Sequence, residues 1–398
     1  MRVAAAVVLM LLATAPSAEG ATSAPVPDFT FDSSARWSAS LLTLTGDAFL
    51  IDVTIGGRGP YPFALDTGGE DAMDPDLARE LGLTPTGVGE VQGAGPVTVT
   101  AGRVTLPSVE IGHLTLHDRV FRVLTLGVPA ENYVPPYRGL IGHALFDSLV
   151  VHIDQDGGSV VLSDPEGWSY RGDGKALNFD FHGHLPVVSG SIDGIPGRFT
   201  LDTGQVNSLT LFQPFLVAHR LEDFWPPRFT AKVGWGIGGD IEADVARGTL
   251  LRLGDVQIDR PVLYLSHQKT GAFADPEIAG NIGEGVFMRF NVTFNYLQRR
   301  AWFERTRNYG REDDVHLMTL RRSFGGFTVL SVLPGGAAAL AGLRPGDVLE
   351  AIDGHDATRV EDNDLQRIFR RGAGTRVALQ VRTGGHLRNL EMELRPSL

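Results

Sequence analysis

Phe63-Ala64-Leu65-Asp66-Thr67-Gly68 recurs 136 residues later as Phe199-Thr200-Leu201-Asp202-Thr203-Gly204. An apolar strand that delivers an acid and then breaks at Thr-Gly leaves that acid at the margin of a core. Its ionised form is poorly solvated there, and the glycine lets the backbone turn and approach closely. One such turn is a weak signal, because Asp-Thr-Gly also occurs in ordinary hairpins. Two of them, at equivalent points of a repeated unit, would be brought together by a pseudo-two-fold axis.

The repeat extends outward in both directions. Upstream, Val53-Thr54-Ile55 turns through Gly56-Gly57, and Gly190-Ser191-Ile192 turns through Asp193-Gly194, a strong two-residue hairpin signal. Downstream, Val109-Glu110-Ile111-Gly112 with Leu114 and Leu116 matches Leu251-Arg252-Leu253-Gly254 with Val256 and Ile258. Both alternate as half-buried strands do. Leu140-Ile141-Gly142-His143-Ala144-Leu145-Phe146 then aligns with Asn281-Ile282-Gly283-Glu284-Gly285-Val286-Phe287, at an offset of 141 that persists to Leu162 and Phe303. The expectation is two copies of one β-rich unit, over 46–165 and 170–305, with at most short helices. One of these is Pro75 to Leu81 behind Asp74 as N-cap.

Two adjacent carboxyl groups cannot both ionise cheaply, so they share one proton and titrate together. The ionised member can take a proton from a water held between them, and the protonated member can hydrogen-bond a scissile carbonyl. This pattern is the one for which aspartic proteases are the standard example. In Asp66-Thr67-Gly68, Asp202-Thr203-Gly204 and the paired segments Leu140-Ile141-Gly142 and Asn281-Ile282-Gly283, the chain resembles the retropepsin-like and pepsin-like aspartic peptidases in their single-chain form. The resemblance implies a mainly β, two-lobed barrel fold with Asp66 and Asp202 as the catalytic pair. It implies that Thr67 and Thr203 hydrogen-bond across the lobes, and that Gly68 and Gly204 hold the turns. It also implies a glycine-rich hairpin over the cleft, for which Gly87 to Thr100 and Gly234 to Ala243 are both candidates. The function expected is metal-free and cofactor-free hydrolysis of a peptide or protein substrate.

Three departures stand out. Asn281 takes the place of an apolar residue, a change expected to affect packing more than chemistry. Gly69 and Gln205 follow the two signatures where the family carries Ala, Ser or Thr. Gln205 would either crowd the carboxylates or donate a hydrogen bond that shifts them. It is the feature favouring the alternative, a catalytically inert peptide-binding scaffold on the same fold.

Residues 315–398 have another texture: strand, short helix, strand into Asp353-Gly354, helix from Asp362 to Arg371, then two strands. Ser323 to Val329, with Leu343-Arg344-Pro345-Gly346-Asp347-Val348-Leu349, resembles a PDZ domain, a small α+β module. That resemblance implies capture of a peptide C-terminus, with Phe324-Gly325-Gly326-Phe327 as the carboxylate loop and the peptide added as a strand. It implies recruitment or regulation alongside the lobes. The polar stretch 306–314 reads as a linker, and 21–45 as an N-terminal segment.

Met1-Arg2, the apolar run Val3 to Ala13 and Ala18-Glu19-Gly20 before Ala21 read as an export signal over 1–20. A run this short does not span a bilayer, so the expectation is a periplasmic or extracellular protein with no stable membrane span after cleavage. The chain contains no Cys, which removes disulfides, thiol nucleophiles and Cys-ligated zinc. A net charge of −12 disfavours nucleic acid as partner. Gly234, Gly236 and Gly239 match dinucleotide-loop spacing, but no helix follows. His113 and His117 lack a Glu between them at the metalloprotease position, so no metal site is expected.

Overall fold

Why do the paired segments Leu140-Ile141 and Asn281-Ile282 recur? In the computed structural model each is a three-residue strand inserted beside the Asp-bearing strand. Gly139–Ile141 runs parallel to Arg58–Leu65, in the register Leu140↔Ala64, and antiparallel to Ala72–Met73. Gly280–Ile282 does the same between Ile195–Leu201 and Leu209–Leu211, in the register Asn281↔Thr200. Each lobe therefore wraps its Asp turn in the same three-strand rung. The structure describes residues 6–8, 29–32, 34–44, 48–95, 97–126, 137–205, 207–221, 223–226, 229–307, 309, 318–332, 334–360, 362–369 and 371–395.

The expected hairpins form around their turn residues. Phe49–Ile55 pairs with Arg58–Leu65, and Leu185–Ile192 with Ile195–Leu201. At the second turn Asp193 and Gly194 both have positive φ, 50° and 84°, as a primed two-residue turn demands. The Asp193 carboxylate also accepts from the Thr249 and Leu250 amides, at 2.8 and 2.7 Å, tying the turn to the next strand. Asp74 caps the helix Pro75–Glu80 through Leu77 N at 2.6 Å.

The lobes join through one continuous platform. Val150–Asp154 lies antiparallel to Phe290–Asn295, with His152 facing Thr293. These two residues are repeat equivalents, so the pseudo-two-fold axis passes between them. His152 Nδ1 and Thr293 Oγ1 are 2.8 Å apart. Ser159–Ser163 and Trp37–Leu44 extend the platform on one side, and Arg300–Arg305 and Lys175–Asn178 on the other. Buried residues from both lobes, among them Phe49, Phe63, Phe146, Phe199, Phe287 and Phe294, make one core.

Two boundaries differ from expectation. The segment 21–45 includes Phe29–Phe31, paired with Leu114–Val123, and Trp37–Leu44, paired with both Ser159–Ser163 and Phe49–Ile55. The second strand buries Ser38 and Ser40 and leaves Trp37 and Leu41 exposed, the reverse of the usual alternation. The buried hydroxyls are satisfied: Ser38 Oγ donates to Ile111 O at 2.7 Å, and Ser40 Oγ accepts from Asp52 N at 3.1 Å. At the far end, Thr306 and Tyr309 dock on the second lobe, the latter through its hydroxyl to Gln257 O at 2.7 Å. The first residues of the expected linker thus belong to the lobe.

The C-terminal unit follows its expected element order, from Met318–Ser323 and Gly326–Val332 through Ala337–Leu340, Val348–Ile352 and Asp362–Phe369 to Arg376–Thr383 and His386–Glu393. Its core, including Met318, Leu320, Phe327, Leu349, Leu365 and Phe369, is separate from that of the lobes. No helix among the described residues is long and apolar enough to cross a membrane. Of the expected export signal only Ala6–Val8 is described, as a strand parallel to Gly234–Gly236.

Candidate active site

The Asp turns are held from behind and from across. From behind, Asp66 N donates to Ile141 O and Asp202 N to Ile282 O, both at 2.9 Å. From across, Thr67 Oγ1 donates to Leu201 O at 3.0 Å and accepts from Thr203 N at 2.9 Å. Thr203 Oγ1 donates to Leu65 O and accepts from Thr67 N, both at 3.0 Å. Each hydroxyl is a donor and an acceptor at once, a role that no apolar residue can fill. The two turns are close enough that a Cβ on Gly68 would lie 3.0 Å from Asp202 Oδ1, and one on Gly204 would collide with the Asp66 carboxyl. Glycine is required at both for that approach.

Both carboxyl groups are fully buried. Asp66 Oδ1 accepts from Gly68 N and Asp202 Oδ1 from Gly204 N, each at 2.9 Å. Burial and then the neighbouring Asp202 charge hold Asp66 well above the usual carboxylate range, against the Gly68 and Gly69 amides. Burial also pushes Asp202 up to about 6, and hydrogen bonds from Asn281, Gly204 and Gln205 restrain it. Nearby, Tyr296 is buried among Phe146, Phe179 and Phe294. Burial first, then the charges of Asp147, Asp202 and Asp66, keeps its phenol protonated.

Asn281 corrects the sequence reading: its effect is chemical. Its Nδ2 donates to Asp202 Oδ2 at 2.7 Å, and its Oδ1 accepts from Thr200 Oγ1 at 2.7 Å. Gln205 turns the other way, donating from Nε2 to Thr210 Oγ1 at 2.6 Å. Its side chain is fully buried and, among the described residues, makes no hydrogen bond to either carboxyl group; only its backbone amide acts on Asp202. Asn281 was visible only as a polar residue interrupting an apolar pair.

Both candidate hairpins form, and they engage each other. Thr86–Gln92 with Thr98–Ile111, and Phe229–Gly236 with Gly239–Arg247, meet at their tips. Gly95 N donates to Ile237 O at 2.8 Å, and Gln268 Nε2 to Ala94 O at 2.9 Å. The exchange is reciprocal. Ile237 packs with Leu50, Ala64 and Leu140 of the first lobe, and Ala94 with Val187, Phe212 and Phe273 of the second. The dinucleotide-like glycines lie at this tip and open no helix.

In the C-terminal unit the expected carboxylate loop, Phe324-Gly325-Gly326-Phe327, spans a hairpin turn. Phe324 and Gly325 form the turn of a hairpin in which Ser323 pairs with Gly326, and Phe324 is fully exposed. Gly326–Val332 is paired on both edges, with Met318–Ser323 and, at Phe327 and Thr328, with Val348–Ile352. Among the described residues the open edge of this sheet beside the turn is that of Met318–Ser323. His113 and His117 sit at the surface against Asp32 and Thr30.

Residues 51–143 match a family model described as an aspartyl protease, which covers the first Asp-Thr-Gly turn and its closing segment. Residues 328–383 match one described as a PDZ domain. Comparison with curated proteins finds no match. The second lobe, outside the first match, repeats its rung, turn and register from its own residues. The chain thus carries an aspartyl protease domain and, after it, a PDZ domain.

Proposed function

We propose that the protein is an aspartic endopeptidase, exported to the periplasm or cell exterior, that hydrolyses extended peptides with a water activated between Asp66 and Asp202. The observation that carries this is the threonine exchange, which sets two buried carboxyl groups facing each other. The ionised carboxylate takes a proton from water, and the hydroxide adds to the peptide carbonyl carbon. The protonated carboxyl group supplies its proton to the carbonyl oxygen. The tetrahedral diol then collapses, the C–N bond breaks, and the leaving nitrogen takes up a proton to give an acid and an amine. Burial supplies the low dielectric in which such transfers are steered. The bond from the Gln205 side chain to Thr210, away from the carboxyl groups, supports the peptidase reading over the scaffold alternative.

The PDZ domain takes an extended peptide along the outer edge of Met318–Ser323 and raises the concentration of its owner near the cleft. Digestion of a mixed, unstructured peptide library across about pH 3–7 tests the enzyme reading, since paired carboxyls titrate in that range. Cleavage within the library is expected. Intact peptides at every pH, with binding retained, would establish the scaffold instead.

A further inference from the structure

The two rungs beneath the Asp turns have the same geometry and opposite chemistry. In the first lobe the three side-by-side residues are Ala64, Leu140 and Ala72. In the second they are Thr200, Asn281 and Thr210, all buried. The polar rung is fully directed: Thr200 donates to the Asn281 oxygen, which fixes the amide so that its nitrogen faces Asp202. With the Thr200 hydroxyl donating to the Asn281 oxygen, the amide nitrogen faces Asp202, and a flipped amide would set its oxygen against an ionised Asp202 carboxylate.

The consequence is an unequal count of donors on the two acids. Both oxygens of Asp202 accept, Oδ1 from Gly204 N and Oδ2 from Asn281 Nδ2. Asp66 accepts on Oδ1 alone, and its buried Oδ2 has no hydrogen-bond partner among the described residues. Donors on both oxygens favour the ionised form, and a vacant lone pair in a buried site favours the protonated one.

We propose that Asn281, oriented by Thr200, is a positioning residue that breaks the two-fold equivalence of the acids: it holds Asp202 as the carboxylate and leaves the shared proton on Asp66 Oδ2. This rests on the peptidase reading for its meaning, making Asp202 the base toward water and Asp66 the acid toward the carbonyl. Burial raises both acids, and the Asn281 hydrogen bond restrains Asp202 alone. The titratable groups acting on the pair are each other and the protonated Tyr296 phenol, itself in the field of Asp147.

The test is a carbon-13 NMR titration of full-length protein labelled at Asp Cγ, with Asp66→Asn and Asp202→Asn assigning the two signals. The wild type should show Asp202 ionising first. Asn281→Leu, and the double variant T200A/N281L that recreates two of the three residues of the first lobe's rung, should move the Asp202 titration up by about one pH unit or more. The acid limb of kcat/KM should move with it, a response that a packing defect alone does not produce. An Asp66 signal that ionises first, or an Asp202 titration unmoved in both variants, overturns the proposal. Because the NMR titration needs no substrate, a missing cleavage activity would count against the peptidase reading alone.

Discussion

Thr67 and Thr203 are where the lobes become one molecule. Thr67→Val keeps the shape but strands Leu201 O and Thr203 N in a buried interface, so we expect a loss of about 2–4 kcal/mol in denaturant unfolding. Asp66 and Asp202 act oppositely on stability. Their folded titrations lie above the ordinary value of 3.8, with Asp202 pushed up to about 6. The folded state therefore holds more protons on this pair than the unfolded one in this window, and the pair's contribution to stability is greatest below about pH 4 and falls as pH rises through 6. Asp66→Asn removes one buried acid: its melting temperature should exceed wild type by several degrees at neutral pH and scarcely at all near pH 4. At this scale the Asp, Thr and Gly of each signature were legible, because the motif is local and occurs twice. Asn281 was not. Its role depends on a cross-strand neighbour, Thr200, 81 positions away, and on which face of a three-residue strand it occupies.

Strand alternation revealed the repeated elements, and turn chemistry revealed their hairpins, Asp193-Gly194 most plainly. What escaped was long-range pairing. Trp37–Leu44 hid because serines point inward, and their hydroxyls find partners that only the folded sheet supplies. The glycines at 325 and 326 suit a tight loop by composition, and strand register places them at the hairpin turn between Met318–Ser323 and Gly326–Val332. The two cleft hairpins were visible as glycine-rich segments, but their crossing is a contact between distant tips. That crossing predicts a measurable effect. Ile237→Ala removes the apolar anchor that the second hairpin lends to the first lobe, and should raise KM about tenfold with a smaller change in kcat. Gly93→Val, whose Cβ would collide with Ile237, should impair peptide binding more severely while circular dichroism stays native.

Across the whole molecule, the lobes share one core and the PDZ domain has another, so calorimetry should resolve two transitions, the smaller one lost when 318–398 are deleted. A second inter-lobe device responds to acid. His143 and His184 stack with centroids 3.8 Å apart, His143 also bonded to Asp147 at 2.9 Å. Burial, then the charge of His143, depresses the His184 titration, opposed by Asp147 and Glu70. A depressed histidine contributes stability above its ordinary value of 6.5 and loses it as pH falls through the folded one. His184→Phe keeps the stack without the proton and should retain more of its neutral-pH stability in acid than wild type does, as read by denaturant unfolding at both pH values. The two-lobe plan was readable from the constant 141-residue offset, whereas contacts such as this stack join positions that no sequence period relates.

The most direct test of the central claim is kcat/KM for Asp66→Asn, Asp202→Asn and the double variant on one library-selected peptide. Two acids sharing one proton act as a unit, so each single change should cost about a thousandfold or more, and the double no more than the worse single. Substantial cleavage surviving in either single variant would contradict the account.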